Sequence, residues 1–139
     1  MHILIDVQGY QSESKVRGIG RSTLAMSRAI IENAGEHRVS ILINGMYPID
    51  NINDVKMAYR DLLTDEDMFI FSAVAPTAYR HIENHGRSKA AQAARDIAIA
   101  NIAPDIVYVI SFFEGHSDSY TVSIPADNVP WKTVCVCHD

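Results

Sequence analysis

The sequence lacks the features that would place it in several large classes of protein. It has no surplus of basic residues: 12 Lys and Arg stand against 17 Asp and Glu, a formal net charge of -5. That balance argues against nonspecific binding to nucleic acid or to an anionic membrane. No apolar run approaches the ~20 residues needed to cross a bilayer. The first strand-like run begins at residue 2, with no basic segment, apolar stretch and small-residue cleavage site ahead of it. A cytoplasmic location is therefore the expectation, with any membrane met only at its surface. Cysteine is nearly absent. Cys135 and Cys137 are the two present, with His138 directly after them, and no second ligand pair at zinc-site spacing accompanies them. Two residues apart on a strand, they share a face, which reads as a buried pair. Internal repeats and low-complexity segments are missing as well.

What is there is a chain of 139 residues, 47% hydrophobic, enough for one domain with a real core. Apolar strand-like runs alternate with helical patterns. His2 to Val7, Val39 to Ile43, Met68 to Phe71, Asp105 to Ile110 and Lys132 to Cys137 read as strands. Nearly continuous apolar character is typical of buried parallel strands. Helical periodicity covers Ile19 to Asn33, with Ile19, Thr23, Leu24, Met26, Ile30 and Ile31 in phase and Gly35 as a left-handed stop. A second helix is expected from Asn53, as cap, to about Leu63. A third runs from about Ser88 to Ile102, with Ala91, Ala94, Ile97, Ala98 and Ile102 in phase and Pro104 ending it. Gln8 to Val16 reads as a polar, flexible loop, and Ala75 to Gly86 as a segment holding a short helix. The chain stops at Asp139 straight after a strand, which reads as a piece of something longer.

Strand–helix alternation predicts an α/β fold: a parallel sheet of order near 3-2-1-4-5, wound by right-handed crossovers with helices on both faces. Ligands of such sheets bind at the carboxyl ends of the strands beside the switch point. Three stretches rich in chemically useful residues converge there: Gly18 to Arg21, Ser111 to His116, and His138-Asp139. The first is the most telling. Arg17-Gly18-Ile19-Gly20-Arg21 opens a helix after a strand and a loop. The first amides of a helix have no intrahelical acceptor and sit at the positive end of its dipole. Gly18 and Gly20 would admit a ligand to the backbone, and Arg17 and Arg21 add charge beside it, so a phosphate or phosphosugar is the expected ligand. A nicotinamide site is excluded by the missing third glycine of G-x-G-x-x-G and by Asn44 where an acidic residue should end strand 2. A receiver domain is excluded by Gln8-Gly9 after strand 1 and His138 after the last strand.

Arg17-Gly18-Ile19-Gly20-Arg21, the run Asp105-Ile106-Val107-Tyr108-Val109-Ile110-Ser111-Phe112-Phe113-Glu114-Gly115, and the terminal Thr133-Val134-Cys135-Val136-Cys137-His138-Asp139 together resemble glycosyltransferase family 4, in particular its bacterial mannosyltransferase-like members. The resemblance spans essentially all 139 residues, as the N-terminal, acceptor-side Rossmann-like domain of a GT-B enzyme, although Met46 to Gly86 carries none of its motifs. It implies a retaining transferase moving a sugar from a nucleotide-sugar donor to a glycan or lipid-linked acceptor, with no cofactor. Gly18 and Gly20 match the glycine loop against donor phosphates or acceptor. His138 matches the histidine that approaches the transferred sugar. Glu114 and Gly115 match an acceptor-side wall, to which His116, Phe112, Phe113 and Asp118 are neighbours. The paired glutamates of the donor site belong to a C-terminal domain this chain does not contain, so the 139 residues alone should not turn over.

Asp65-Glu66-Asp67 spells the D-x-D of metal-dependent transferases, but it precedes a strand where the ligand edge needs it to follow one. It reads as a solvated turn, and no metal is expected. Two rival readings remain. One is a nucleotide- or phosphate-binding α/β module without catalysis; the other is a regulatory or scaffolding domain whose glycines only turn the chain.

Overall fold

A computed structural model describes residues 1–125 and 128–137. Among them, five strands form one parallel sheet: β1 (His2–Asp6), β2 (Arg38–Asn44), β3 (Met68–Phe71), β4 (Ile106–Val109) and β5 (Lys132–Cys135). Their order is β3-β2-β1-β4-β5, as the alternation predicts. Register follows from burial on both faces. Ile5 lies beside Ile41 on one side and Tyr108 on the other, so a one-residue slip would exchange the two faces of a strand whose last three residues are buried.

Helices α1 (Gly18–Glu32) and α2 (Ile49–Tyr59) cover the face that carries Ile5, Val7, Ile41 and Ile43, with Val55 and Tyr59 packed into it. Helix α3 (His85–Ile102) covers the other face through Ile99, against Leu4, Leu42, Val107 and Val109. Each such aliphatic side chain, taken wholly from water, contributes roughly 1.5–3 kcal/mol. Tyr59 is buried with its hydroxyl 2.6 Å from Ser27 Oγ, which answers the polar end of a large side chain. Gly35 takes the left-handed conformation, φ 58°, just past α1.

Four local expectations are corrected. Helix α2 starts four residues before Asn53, with Pro48 as its cap residue; the buried positions are Ile52, Val55 and Tyr59, while Met57 faces solvent. Tyrosine supplied the third core position, which an aliphatic pattern misses. On α3 the buried stripe is Ser88, Ala91, Arg95 and Ile99, and Ile97 is exposed. Gln8 to Val16 is no loose loop: two short 3-10 turns, Gln8–Tyr10 and Glu13–Val16, fold it against α1, with Gln8, Gln11, Ser12 and Ser14 buried. Cys137 is exposed and Cys135 only partly covered, so the cysteines are not a buried pair. Asp65–Asp67 forms a 3-10 turn at the amino end of β3, where Asp65 lies 3.4 Å from Lys56 and Asp67 3.0 Å from Arg38. Among the described residues no helix is long and apolar enough to cross a membrane.

Candidate functional site

The carboxyl edge of the sheet is built on an ion pair. Asp6 ends β1 wholly buried, and Arg95 reaches it from α3 with 1% of its surface exposed. Arg95 Nε donates to Asp6 Oδ2 at 2.9 Å, and Nη2 lies 2.8 Å from the same oxygen in ion-pair contact without hydrogen-bond alignment. A buried carboxylate needs every lone pair answered. Gln8 supplies the rest, its backbone N–H donating to Oδ1 at 3.1 Å and its side-chain amide to both oxygens at 3.0 and 2.9 Å.

From that base, two glutamine side chains hold the loops. Gln8 donates to the Thr121 carbonyl at 2.7 Å and accepts from the Thr121 N–H at 3.0 Å, the two-bond pattern of a strand neighbour. It also accepts from Asn44 Nδ2 at 2.7 Å. Gln11 does the same to the backbone of Asn44, donating to its carbonyl at 3.0 Å and accepting from its N–H at 2.8 Å. Arg95 Nη1 reaches Ser123 Oγ at 3.3 Å. The ends of β1 and β2 and the β4–β5 connection are thereby fixed to one another through buried polar groups, which cost most when left unpaired and specify geometry when fully paired.

The predicted residues fall into three groups. At the start of α1, Arg17 and Gly18 are exposed and an added Cβ at Gly18 would meet nothing within 4 Å, so its backbone is open to a ligand. Gly20 is different. A Cβ there would lie 2.1 Å from the Lys15 carbonyl oxygen, so the backbone it admits is that of its own chain. Ile19 is partly buried, and Arg21 is exposed with its guanidinium donating to the Val16 carbonyl at 3.1 Å. The amides of Gly18, Ile19 and Gly20 have no backbone acceptor among the described residues.

In the β4–β5 connection, Glu114 accepts from Ser14 Oγ at 3.2 Å, which brings the loop after β4 onto the turn that precedes α1. Gly115 is a close-approach position, its Cβ placed 2.8 Å from the Tyr120 carbonyl. The Gly115 and His116 carbonyls accept from the N–H groups of Tyr79 and Arg80, each at 3.0 Å. His138 lies outside the described residues.

Beside this connection opens a cleft of about 410 Å³. Phe112, Phe113, Gly115, His116, Tyr120 and Val122 of the connection line it, together with Tyr79 and with Ser88 and Gln92 on the first turns of α3. Gly115 and His116 thus line it, whereas Arg17 to Arg21 do not. Tyr79, Ser88 and Gln92 were missed by the sequence reading, because they come from a segment with no motif. The signal for Ser88 and Gln92 was their position at the start of a helix that follows β3, which a parallel sheet must place at the carboxyl edge.

Asp118 lies in the same β4–β5 connection. Partial burial, then the neighbouring Glu13, push its carboxyl above the usual range, while Arg17 and Arg80 act to lower it. A carboxyl whose folded pKa is raised binds its proton more tightly in the folded chain. Its contribution therefore favours folding at low pH and is lost as pH rises through the window above the ordinary aspartate value. Glu13→Gln is expected to move the Asp118 midpoint down and Arg17→Ala to move it up, read by ¹³C-carboxyl NMR titration; midpoints unmoved by both substitutions would mean that neither charge faces Asp118.

These features define a class: a doubly wound parallel α/β unit with a ligand-sized cleft at its carboxyl edge, where such folds bind ligands. Over all 139 residues the chain is 99% identical to the serotype-specific mannosyltransferase WbdA of Escherichia coli, of which it spans 16%. It is also 94% identical, over 114 residues, to another Escherichia coli protein of that name, covering 82% of this chain and 14% of the relative. No protein-family model matches the chain. No solved structure matches it.

Proposed function

We propose that residues 1–139 are the N-terminal, acceptor-side Rossmann-like domain of a family 4, GT-B glycosyltransferase, which transfers mannose from a nucleotide-sugar to a polysaccharide or lipid-linked acceptor on the cytoplasmic side. The observation that carries this reading is the 99% identity along the whole chain to a protein named for mannosyl transfer. The cleft supports it, because its mixed aromatic and hydrogen-bonding lining suits a sugar. In this proposal the open amides at Gly18 and Ile19, with Arg17 beside them, face the negative charge that develops on a departing diphosphate. Gly20 and Arg21 hold that helix start in place. Glu114, Gly115 and His116 form the acceptor-side wall, and His138 meets the transferred sugar. The donor-binding half lies in the remainder of the full-length protein.

The test is transfer of labelled sugar from a panel of nucleotide-linked hexoses. Full-length protein is expected to transfer mannose, and the isolated 139 residues none. Turnover by the isolated chain would sink the divided-site reading. Nucleotide binding by the full-length protein with no transfer to any acceptor would favour the non-catalytic phosphate-binding module instead.

A further inference from the structure

We infer that the free edge of β3 is a contact between two copies of this chain, joined antiparallel about a two-fold axis so that their sheets run on as one. In the sheet β3 pairs with β2 alone, which leaves its outer edge without a strand neighbour. The strand reads Met68-Phe69-Ile70-Phe71, and Ser72-Ala73-Val74 follows, with no charge and no proline before Pro76. Edge strands are ordinarily guarded by lysine, proline, a bulge or a covering segment, and an apolar edge without such a guard is a template for another strand. Its side chains are open as well, with Ile70 46% and Val74 71% exposed.

Charge selects a second copy as the occupant. The edge begins on Asp65-Glu66-Asp67 and ends beside Arg87, which borders a groove along Ser72 to Val74. Glu66 is exposed and has no cation among the described residues. Arg87 donates to the Pro76 carbonyl at 3.1 Å and to Asn84 Oδ1 at 3.0 Å, and has no carboxylate. Acid at one end and base at the other make this edge complementary to its own reverse, the match a two-fold interface needs. Parallel pairing would set acid on acid. The faces fix the register. Met68 packs toward α1 and α2, and Phe69, Phe71 and Ala73 toward α3, so Ile70 stands on the Met68 side. Directly opposed residues of antiparallel strands share a face. With Ile70 facing its own copy on the axis, Phe69 meets the partner's Phe71 and Met68 meets the partner's Ser72. The partner's Val74 then falls beside Glu66 on the same face, at a hollow of about 340 Å³ lined by Met57, Leu63 and Met68 among others. An exposed apolar side chain thus enters a hollow on each copy, adding area that a short strand pair lacks.

The test is sedimentation equilibrium of the full-length protein at micromolar concentration. Wild type is expected as a dimer, and Ile70→Lys is expected to raise the dimer Kd about a hundredfold. Glu66→Arg and Arg87→Glu should each raise it about tenfold. Combined, they should return it to within about threefold of wild type, because reversing both charges keeps the match. Circular dichroism checks that each variant folds. Ile70→Cys provides a second measurement that does not depend on the lysine variant: mild oxidation should join two copies through that position, beyond any cross-linking of the parent protein. A monomeric wild type overturns the inference and leaves the edge to some other strand. A dimer unmoved by Ile70→Lys overturns it by placing the contact elsewhere. Charge reversal without recovery in the double variant, or no added cross-link in Ile70→Cys, overturns the antiparallel pairing.

Discussion

Arg95→Met is expected to destabilise the chain by about 3–5 kcal/mol in urea denaturation, the largest effect of any single substitution at the site. Methionine fills most of the space, so the loss is electrostatic: Asp6, wholly buried at the end of β1, would keep its charge and lose the only cation in contact with it among the described residues. The same reasoning predicts how the damage is repaired. Adding Asp6→Asn removes the charge and should recover more than half of the loss, because an imperfectly paired neutral group costs only about 1–3 kcal/mol. Two variants that each cost under about 1 kcal/mol, with no coupling between them, would show that the pair is dispensable.

Gly20→Ala is expected to cost about 3 kcal/mol, while Gly18→Ala, two residues away in the same helix, is neutral or stabilises by up to about 1 kcal/mol. The substitution is identical and both sites are in the first turn of α1. What differs is the neighbour: an added methyl at Gly20 meets the Lys15 backbone at 2.1 Å, and at Gly18 it meets nothing within 4 Å. Backbone cannot rotate aside as a side-chain tip can, so the turn Glu13–Val16 would have to lift off α1. Similar melting temperatures for the two variants would show that the contact is easily relieved. Under the proposed function, lost transfer in a Gly20 variant would therefore report a displaced turn, not a blocked phosphate. Gly18 is the position that tests the anion.

The sheet was legible because its strands are single-minded. Ile3-Leu4-Ile5 and Ile41-Leu42-Ile43 have apolar residues on both faces, which only a parallel strand between two helical layers requires. The convergence of the Gly18 and Glu114 loops was legible for the same reason, since topology alone sends both to one edge, and Ser14 and Glu114 do touch there. What could not be read was the polar interior. Glutamine and serine between residues 8 and 14 carry the statistics of a solvent loop, and nothing local says that their amides are spent on backbone 33 and 113 residues away. Arg95 did leave a trace. It stands in phase with Ala91 and Ile99 on the buried side of α3, and β1 ends on an acidic residue that would otherwise have no reason to follow Ile-Leu-Ile. A cation on an apolar stripe and an anion at the end of a buried strand are each an anomaly; together they call for one another.

The two glutamines also set how freely this edge can drift in sequence. Each uses one side chain as though it were a peptide unit, giving a donor and an acceptor at fixed spacing to another segment's backbone. Glutamate has the same shape and is the commonest neighbour of glutamine in chemical terms, yet at position 8 it would set a second carboxylate against Asp6 and remove the donor that Asp6 and Thr121 share. Asparagine keeps the amide and is one methylene too short to reach. The vocabulary at Gln8 is therefore close to a single letter, while the exposed Arg17 a few residues on, which looks more like a signature, is free to vary as far as the fold is concerned.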